Sequence, residues 1–544
     1  MKGWSKGWRK WPKESDSKRN HPPSWQTVRT AKSVSPFLKQ FKCCTIRSCN
    51  RLLRDSFFLS IAQRQLSEKE GLQTVTLSKK WKQLIFCGLL GALFFLVPPP
   101  GDLKVAGWHV FGVFAATIVG LILKPLPMGV MALLGMVSLC LARTLTLKEA
   151  LSGFGNPTIW LVVVAFFISR GIVKTGLGER IAYLFVERFG KKPLFLAYSL
   201  IASDLVIAPA MPSNTARAGG ILAPIVQSLN TTFGSDPKEG TENKLGNFLV
   251  PVVFQCDVVI SAVFLTSMAA NPMAVSFASD LLGVNMTWGG WLAASCVPAL
   301  LSLVLYPLVI YKINPPELKE TPEAPALARK KLDAMGPLKQ EEKAMAAIFL
   351  LLIVLWAGGR YLGLTETLTA LLGLCLLLLS NVLTWDDVKS EKAAWDTLIW
   401  FAILVMEAGF LNTKGMIPWF SREMGLLVSG SNGLVAMAIL GTVYFYSHYL
   451  FASSTAHVSA MYAAFLSVMA SAGAPPTMAA YVLAWFSSLF GCLTHYGSGP
   501  APIFFGAGYV SQNRWWEIGF VLSLLSLLIW GGVGCLWGKV LGMW

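Results

Sequence analysis

Charge is scarce in this chain of 544 residues: Asp, Glu, Lys and Arg make up 14% of it, against about 25% in ordinary soluble domains. With 54% hydrophobic residues, a domain surrounded by water would aggregate, so a soluble globular fold is excluded. Phosphate-cradling Gly-rich loops of the G-x-x-x-x-G-K type are missing, which leaves ATP-driven work without its motif. The ten cysteines make no C-x-x-C pair and sit mostly in apolar runs, where they read as small hydrophobes rather than redox or metal centres. Residues 1–80 hold no apolar stretch of the secretory-signal kind.

What the chain does have is long apolar runs, at 84–97, 108–123, 300–310 and 346–356 among others. These extend towards the roughly 20 residues that cross a hydrocarbon core. The net charge of +17 sits mostly before them: residues 1–80 carry 18 Lys or Arg against five acids, a surplus of 13. A basic segment beside a first span fits a cytoplasmic face and anionic lipid, not a nucleic-acid partner. Residues 1–80 are therefore expected to be a cytoplasmic tail or a targeting segment, with a short amphipathic helix at 50–66. Trp108, Trp288, Trp291, Trp515, Trp516 and Trp544 fall at span ends and read as interface anchors.

The body divides at a polar linker, 314–342, placed in the cytoplasm by its Lys and Arg content. Residues 81–313 hold a leading helix and a first repeat, and 343–544 hold a second. The two are internally related. Thr158 to Gly176 and Thr397 to Gly415 span the same 18 positions, and about 37 residues later each half reaches a Ser/Thr triplet, Ser213-Asn214-Thr215 and Ser453-Ser454-Thr455. Each then closes on Leu-Thr-x-x-x-x-x-Pro, at 265–272 and 493–500. With one leading span and five per repeat, the second repeat starts on the opposite side from the first. The expected fold is an all-α polytopic membrane protein of about 11 transmembrane helices with two inverted-topology repeats, a plan of secondary transporters.

The triplets carry the chemistry. Pro209 and Pro212 lack the amide donor and clash with the preceding turn, so the helix breaks before Ser213. Such a break persists in a membrane only where it lines a cavity. Ser213 and Ser453 are N-cap residues, and two helix N-termini facing each other offer free N–H groups and partial positive charge to a two-ended anion. Arg217 and His457 each follow their Ser by four positions, on the same helical face. Arg217 either joins one carboxylate of the ligand or pairs internally with Asp204. Thr266 and Thr494 open the second pair of breaks, where Gly497 and Gly499 let carbonyls approach a ligand or cation. Asp204, Asp257, Glu407 and His448 are further intramembrane groups for proton relay or ion pairing. His495 reads equally as a ligand contact or a structural imidazole.

Pro-Ser-Asn-Thr-Ala-Arg-Ala-Gly-Gly at 212–220, Ser-His-Tyr-Leu-Phe-Ala-Ser at 447–453 and Leu-Thr-His-Tyr-Gly at 493–497 resemble the divalent anion:sodium symporter family, in its 2-oxoglutarate/malate translocator branch. The resemblance runs over residues 82–544. It implies re-entrant hairpins with the triplets at their tips, a homodimer in the lipid bilayer, and an elevator-type transport domain. It further implies small dicarboxylate substrates held by Ser213, Asn214, Thr215 and Arg217 at one end and Ser453, Ser454, Thr455 and His457 at the other, with Thr266 and Thr494 nearby. Sodium, where it is used, would take Ser213, Asn214, Ala269 and Gly497. The second motif has Ser454 where the family has Asn, which removes an amide oxygen from that cation site and favours exchange over sodium-driven symport. The expected activity is transport and not enzymatic turnover, in a bacterial inner membrane or, as the alternative, a plastid inner envelope. No cofactor is expected.

Overall fold

The computed structural model describes residues 79–428 and 432–544; the basic tail with its expected amphipathic helix at 50–66 lies outside the described residues. Among the described residues every regular element is a helix. Nine of them are long and apolar enough to cross a membrane, and Met128–Leu141, Glu366–Leu379 and Pro476–Cys492 are shorter apolar helices.

The first half opens with α1 (79–96), α2 (Val105–Leu123), α3 (Met128–Leu141) and α4 (Pro157–Thr175). Local chemistry sets the bounds of α4: Asn156 accepts the Thr158 amide, Pro157 takes the first helical position, and Gly176 ends the helix at φ 76°. An amphipathic helix, α5 (Leu177–Phe189), leads to α6 (Pro193–Ile207). The chain then breaks over 208–214 and resumes as α7, wound in wide i→i+5 turns over Thr215–Leu222 and regular over Ala223–Thr232. Next come α8 (Gly246–Val263), a second break, α9 (Ala270–Leu282) and the long α10 (Trp288–Ile313).

The same order recurs after the linker, which itself holds α11 (Glu323–Met335), joined to α5 by Arg329 and Glu187 at 3.0 Å. Helices α12 (Gln340–Leu362), α13 (Glu366–Leu379), α14 (Lys392–Thr413) and α15 (Met416–Val428) stand where α2 to α5 stand. Helix α16 (Gly433–Tyr446) breaks over 447–453 before α17 (Ser454–His457, wide turns over Val458–Tyr462, then Ala463–Ser471). Finally α18 (Pro476–Leu489) breaks over 490–500 before α19 (Ala501–Gly506) and α20 (Gln512–Ser526, continuing to Val540).

Two short helices also correspond. Thr146 and Glu149 close a capping box on Leu147–Ala150, and Thr384 and Asp387 close one on Trp385–Ser390. Lys174 at the end of α4 reaches Asp387, and Lys414 after α14 reaches Glu149 at 3.1 Å, so each half holds the other's capping box.

Three tryptophans depart from expectation. Trp288, Trp291 and Trp515 are at most 1% exposed, and the first two donate inward, to Thr266 Oγ1 and the Ala262 carbonyl. They pack the interior, whereas interface anchors would show a polar edge.

Candidate functional site

The first break is built as the prolines require. Ser213 Oγ accepts the Ala216 amide at 3.2 Å, which satisfies one of the free donors at the start of α7. Ser213 and Asn214 are half-buried and Thr215 is exposed. The break after α8 is stitched to it: the Ala269 amide donates to the Pro212 carbonyl at 3.0 Å, and Thr266 Oγ1 donates to the Pro209 carbonyl at 2.6 Å. Thr266 also accepts Trp288 Nε1 at 3.0 Å, so its hydroxyl is spent on protein partners.

Arg217 lies fully buried behind the first triplet. Nε donates to Asp204 Oδ1 at 2.6 Å, and Nη2 to Asp257 Oδ1 at 2.7 Å and Ser261 Oγ at 3.2 Å. Nη1 donates to the carbonyls of Met211 at 3.0 Å and Ser267 at 2.9 Å. Both carbonyls belong to unwound chain, one from each break of the first half. The guanidinium therefore pins the two breaks together, and the internal pairing with Asp204 is the geometry found. Asp257, 40 positions away, is a second partner, one of the four intramembrane groups that the sequence offered for relay or ion pairing.

In the second half Ser453 Oγ accepts the Ala456 amide at 3.4 Å. Ser454 is buried, with its Oγ 3.5 Å from the Gly497 carbonyl, and Thr455 is half-buried. The counterpart of Arg217 is an imidazole: His457 Nδ1 lies 3.1 Å from His448 Nδ1, and His457 Nε2 lies 3.0 Å from Ser447 Oγ. His448 Nε2 bonds the Gly497 carbonyl at 2.8 Å. Phe451 and Phe490 stack on the His457 ring at 4.5 Å, and Tyr444 at 4.6 Å. Among the described residues no carboxylate is bonded to this imidazole pair in the way Asp204 and Asp257 are bonded to Arg217. His495 takes its structural role, accepting Trp516 Nε1 at 3.0 Å.

The halves meet at the breaks. A Cβ on Gly499 would fall 1.8 Å from Thr215 Oγ1, so the bare backbone of one half touches the first triplet of the other. Ser488 Oγ donates to Asn271 Oδ1 at 3.1 Å, and Asn271 Nδ2 donates to the Ser261 carbonyl at 2.8 Å. Asn271, a polar residue in an apolar stretch, carried a signal that sequence reasoning passed over. Thr494 Oγ1 is buried without a partner. Ser213, Asn214, Thr215, Ser453 and Thr455 are thus partly or fully exposed, while Arg217, His457 and Thr266 are buried. Of the expected sodium set, Ala269 bonds Pro212, the residue before Ser213, whereas the Gly497 carbonyl is engaged by His448. Glu407 lies elsewhere, buried beside Thr117 Oγ1 at 3.5 Å.

Helices interrupted in pairs, with polar residues at each interruption inside apolar packing, define an integral membrane transporter. The chain belongs to the sodium:sulfate symporter transmembrane-region family, whose model matches residues 78–544. This is the divalent anion:sodium symporter grouping to which its motifs point. It is 56% identical over 461 residues to YflS of Bacillus subtilis, provisionally named a malate transporter, covering 85% of this chain and 96% of that one. It is 47% identical over 466 residues to the chloroplastic dicarboxylate transporter 1 of Spinacia oleracea, covering 85% and 82%. Among solved structures, the Alcanivorax borkumensis YdaH transporter shares the fold at a TM-score of 0.52 and 13% identity, covering 74% of this chain and 88% of that one.

Proposed function

We propose that this protein exchanges C4 and C5 dicarboxylates, such as malate and 2-oxoglutarate, across a membrane. One observation carries the choice of exchange over sodium-driven symport. The Arg217 guanidinium donates to the unwound carbonyls of Met211 and Ser267, the type of group that holds sodium in coupled carriers. With those carbonyls engaged by a protein cation, and Ser454 standing where the family has Asn, each half has fewer free oxygens for sodium, which supports exchange. Substrate carboxylates are then held by Ser213, Asn214 and Thr215 at one end and by Ser453, Ser454 and Thr455 at the other, each at a helix start.

The names of the relatives support dicarboxylates, and the resemblance of the motifs supports 2-oxoglutarate, a homodimer, inverted repeats and an elevator movement. A bacterial inner membrane is the setting this reading favours, with a plastid inner envelope as the other. The test is counterflow in proteoliposomes. Labelled malate is expected to enter only vesicles preloaded with dicarboxylate, with no response to a sodium gradient. Sodium-driven uptake into empty vesicles would establish the symport reading instead.

A further inference from the structure

Behind the first triplet two acids share one base, and their hydrogen bonds do not balance. Arg217 has five N–H donors, and each has its acceptor: Asp204 Oδ1, Asp257 Oδ1, Ser261 Oγ and the carbonyls of Met211 and Ser267. None remains for the second oxygen of either carboxyl group. Asp204 Oδ2 and Asp257 Oδ2 are buried without a partner among the described residues, in residues 1% and 0% exposed. The two carboxyl groups bond the same guanidinium, through its Nε and its Nη2. Two bare carboxylates on one guanidinium leave a buried net negative charge, whereas one proton on the pair removes that charge and gives an orphan oxygen an O–H bond.

We propose that Asp204 and Asp257 share one bound proton, and that this proton site sets the affinity of the neighbouring anion site. The second half of the statement rests on the dicarboxylate reading above. The charge count gives the reason. With the proton in place, Arg217 and the two carboxyl groups sum to zero. Without it they carry one negative charge, and a dianion at Ser213 meets repulsion two residues from the Met211 carbonyl that Arg217 holds. The step is a plain protonation: one carboxylate oxygen gains an O–H bond as a hydronium ion loses one and becomes water, and no other bond changes. The titratable groups around the pair are Arg217 from α7 and the Cys256 thiol from α8. Behind Cys256 stand Tyr198 of α6 and Tyr306 of α10, whose hydroxyls bond the Val304 carbonyl and Ser526. None of these offers Oδ2 a donor.

Isotope-edited infrared spectroscopy of protein carrying labelled Asp tests the shared proton directly. Wild-type protein at neutral pH is expected to show a carboxylic-acid C=O stretch that shifts in heavy water. Asp204→Asn and Asp257→Asn should each abolish it, because a carboxamide supplies its own N–H to the remaining carboxylate. Absence of the band in wild-type protein overturns the proposal and needs no variant to fold; so does a band that survives both substitutions.

Exchange measured alongside tests the coupling, at pH values where the substrate is fully dianionic. The wild-type KM for malate should rise about tenfold per pH unit once the pair loses its proton. In Asp257→Asn the KM should stay level with pH at whatever rate that variant retains. A wild-type KM that stays level through the alkaline range, whether or not the band titrates, overturns the coupling. A chain that shows the band but exchanges no dicarboxylate refutes the transport reading and leaves the proton site standing.

Discussion

Lys174 Nζ lies 2.6 Å from Asp387 Oδ2, a bond between the end of α4 in one half and a capping box in the other. Lys414 and Glu149 repeat the arrangement with the halves exchanged, at 3.1 Å. Both acids lie outside the spanning helices, and both are held at about 2. For Glu149 the causes are the Thr146 amide first, then the Thr146 hydroxyl and Lys414. For Asp387 partial burial pushes the carboxyl up, and Lys174 with the Thr384 amide and hydroxyl outweighs it. Carboxyls depressed from the usual value of about 4 contribute stability that is complete above that value. Thermal unfolding of the purified protein should therefore hold level down to about pH 4 and weaken towards about pH 2. Glu149→Gln and Asp387→Asn should each reduce stability by about 1 kcal/mol, in the range of a lost cap, and flatten part of that acid slope.

Arg217→Ala tests the brace behind the first triplet. Read from the sequence alone, this variant would lose transport and keep its fold. The structure changes that expectation, because the substitution strands Asp204 and Asp257 with no cation. Removing one partner of a buried ion pair costs about 3–5 kcal/mol, so the variant should fail to reach the membrane in folded form. Arg217→Ala combined with Asp204→Asn and Asp257→Asn should recover folded protein on size-exclusion chromatography without recovering exchange.

The two triplets should respond unequally. Asn214 is half-buried at a helix start, so Asn214→Ala should raise the KM for malate about tenfold or more, the loss of one hydrogen bond to a charged group, roughly 1.5–3 kcal/mol. Ser454 is buried and turned to the Gly497 carbonyl, so Ser454→Ala should shift KM by less than Asn214→Ala. Initial-rate exchange assays on both variants decide between this order and its reverse.

His457→Ala opens a gap among Tyr444, Phe451 and Phe490 and leaves His448 without its neighbour. Loss of a large buried ring costs about 3–5 kcal/mol, so the melting temperature should fall clearly. His457→Phe fills the space without the Ser447 bond and should restore most of the stability. If exchange returns with it, the imidazole serves packing alone.

The breaks themselves were legible in the sequence because their causes are local. Pro209 and Pro212 cannot continue a helix, and Ser213 and Ser453 stand where caps are needed. The capping boxes at Thr146 and Thr384 are equally local, four residues each. What remained hidden were the choices among distant partners. Asp204 and Asp257, 13 and 40 positions from Arg217, could both be nominated as intramembrane acids, but only the structure shows that both bind it at once while Glu407 lies elsewhere. Trp288 and Trp291 misled for a related reason: an aromatic at a span end suits an interface, and only the approach of Thr266 and the Ala262 carbonyl turns it inward.

Gly499 against Thr215 sets a length scale. Because a methyl there would fall 1.8 Å from Thr215 Oγ1, the approach of the two halves at this point is limited by main chain meeting side chain, as the jaws of a caliper are limited by their stop. On the proposed dicarboxylate reading, this contact would bear on how long a diacid fits without any selective side chain at either end. A single added carbon at 499 would open the jaws and move the preference towards longer substrates, while both carboxylate grips stayed as they are.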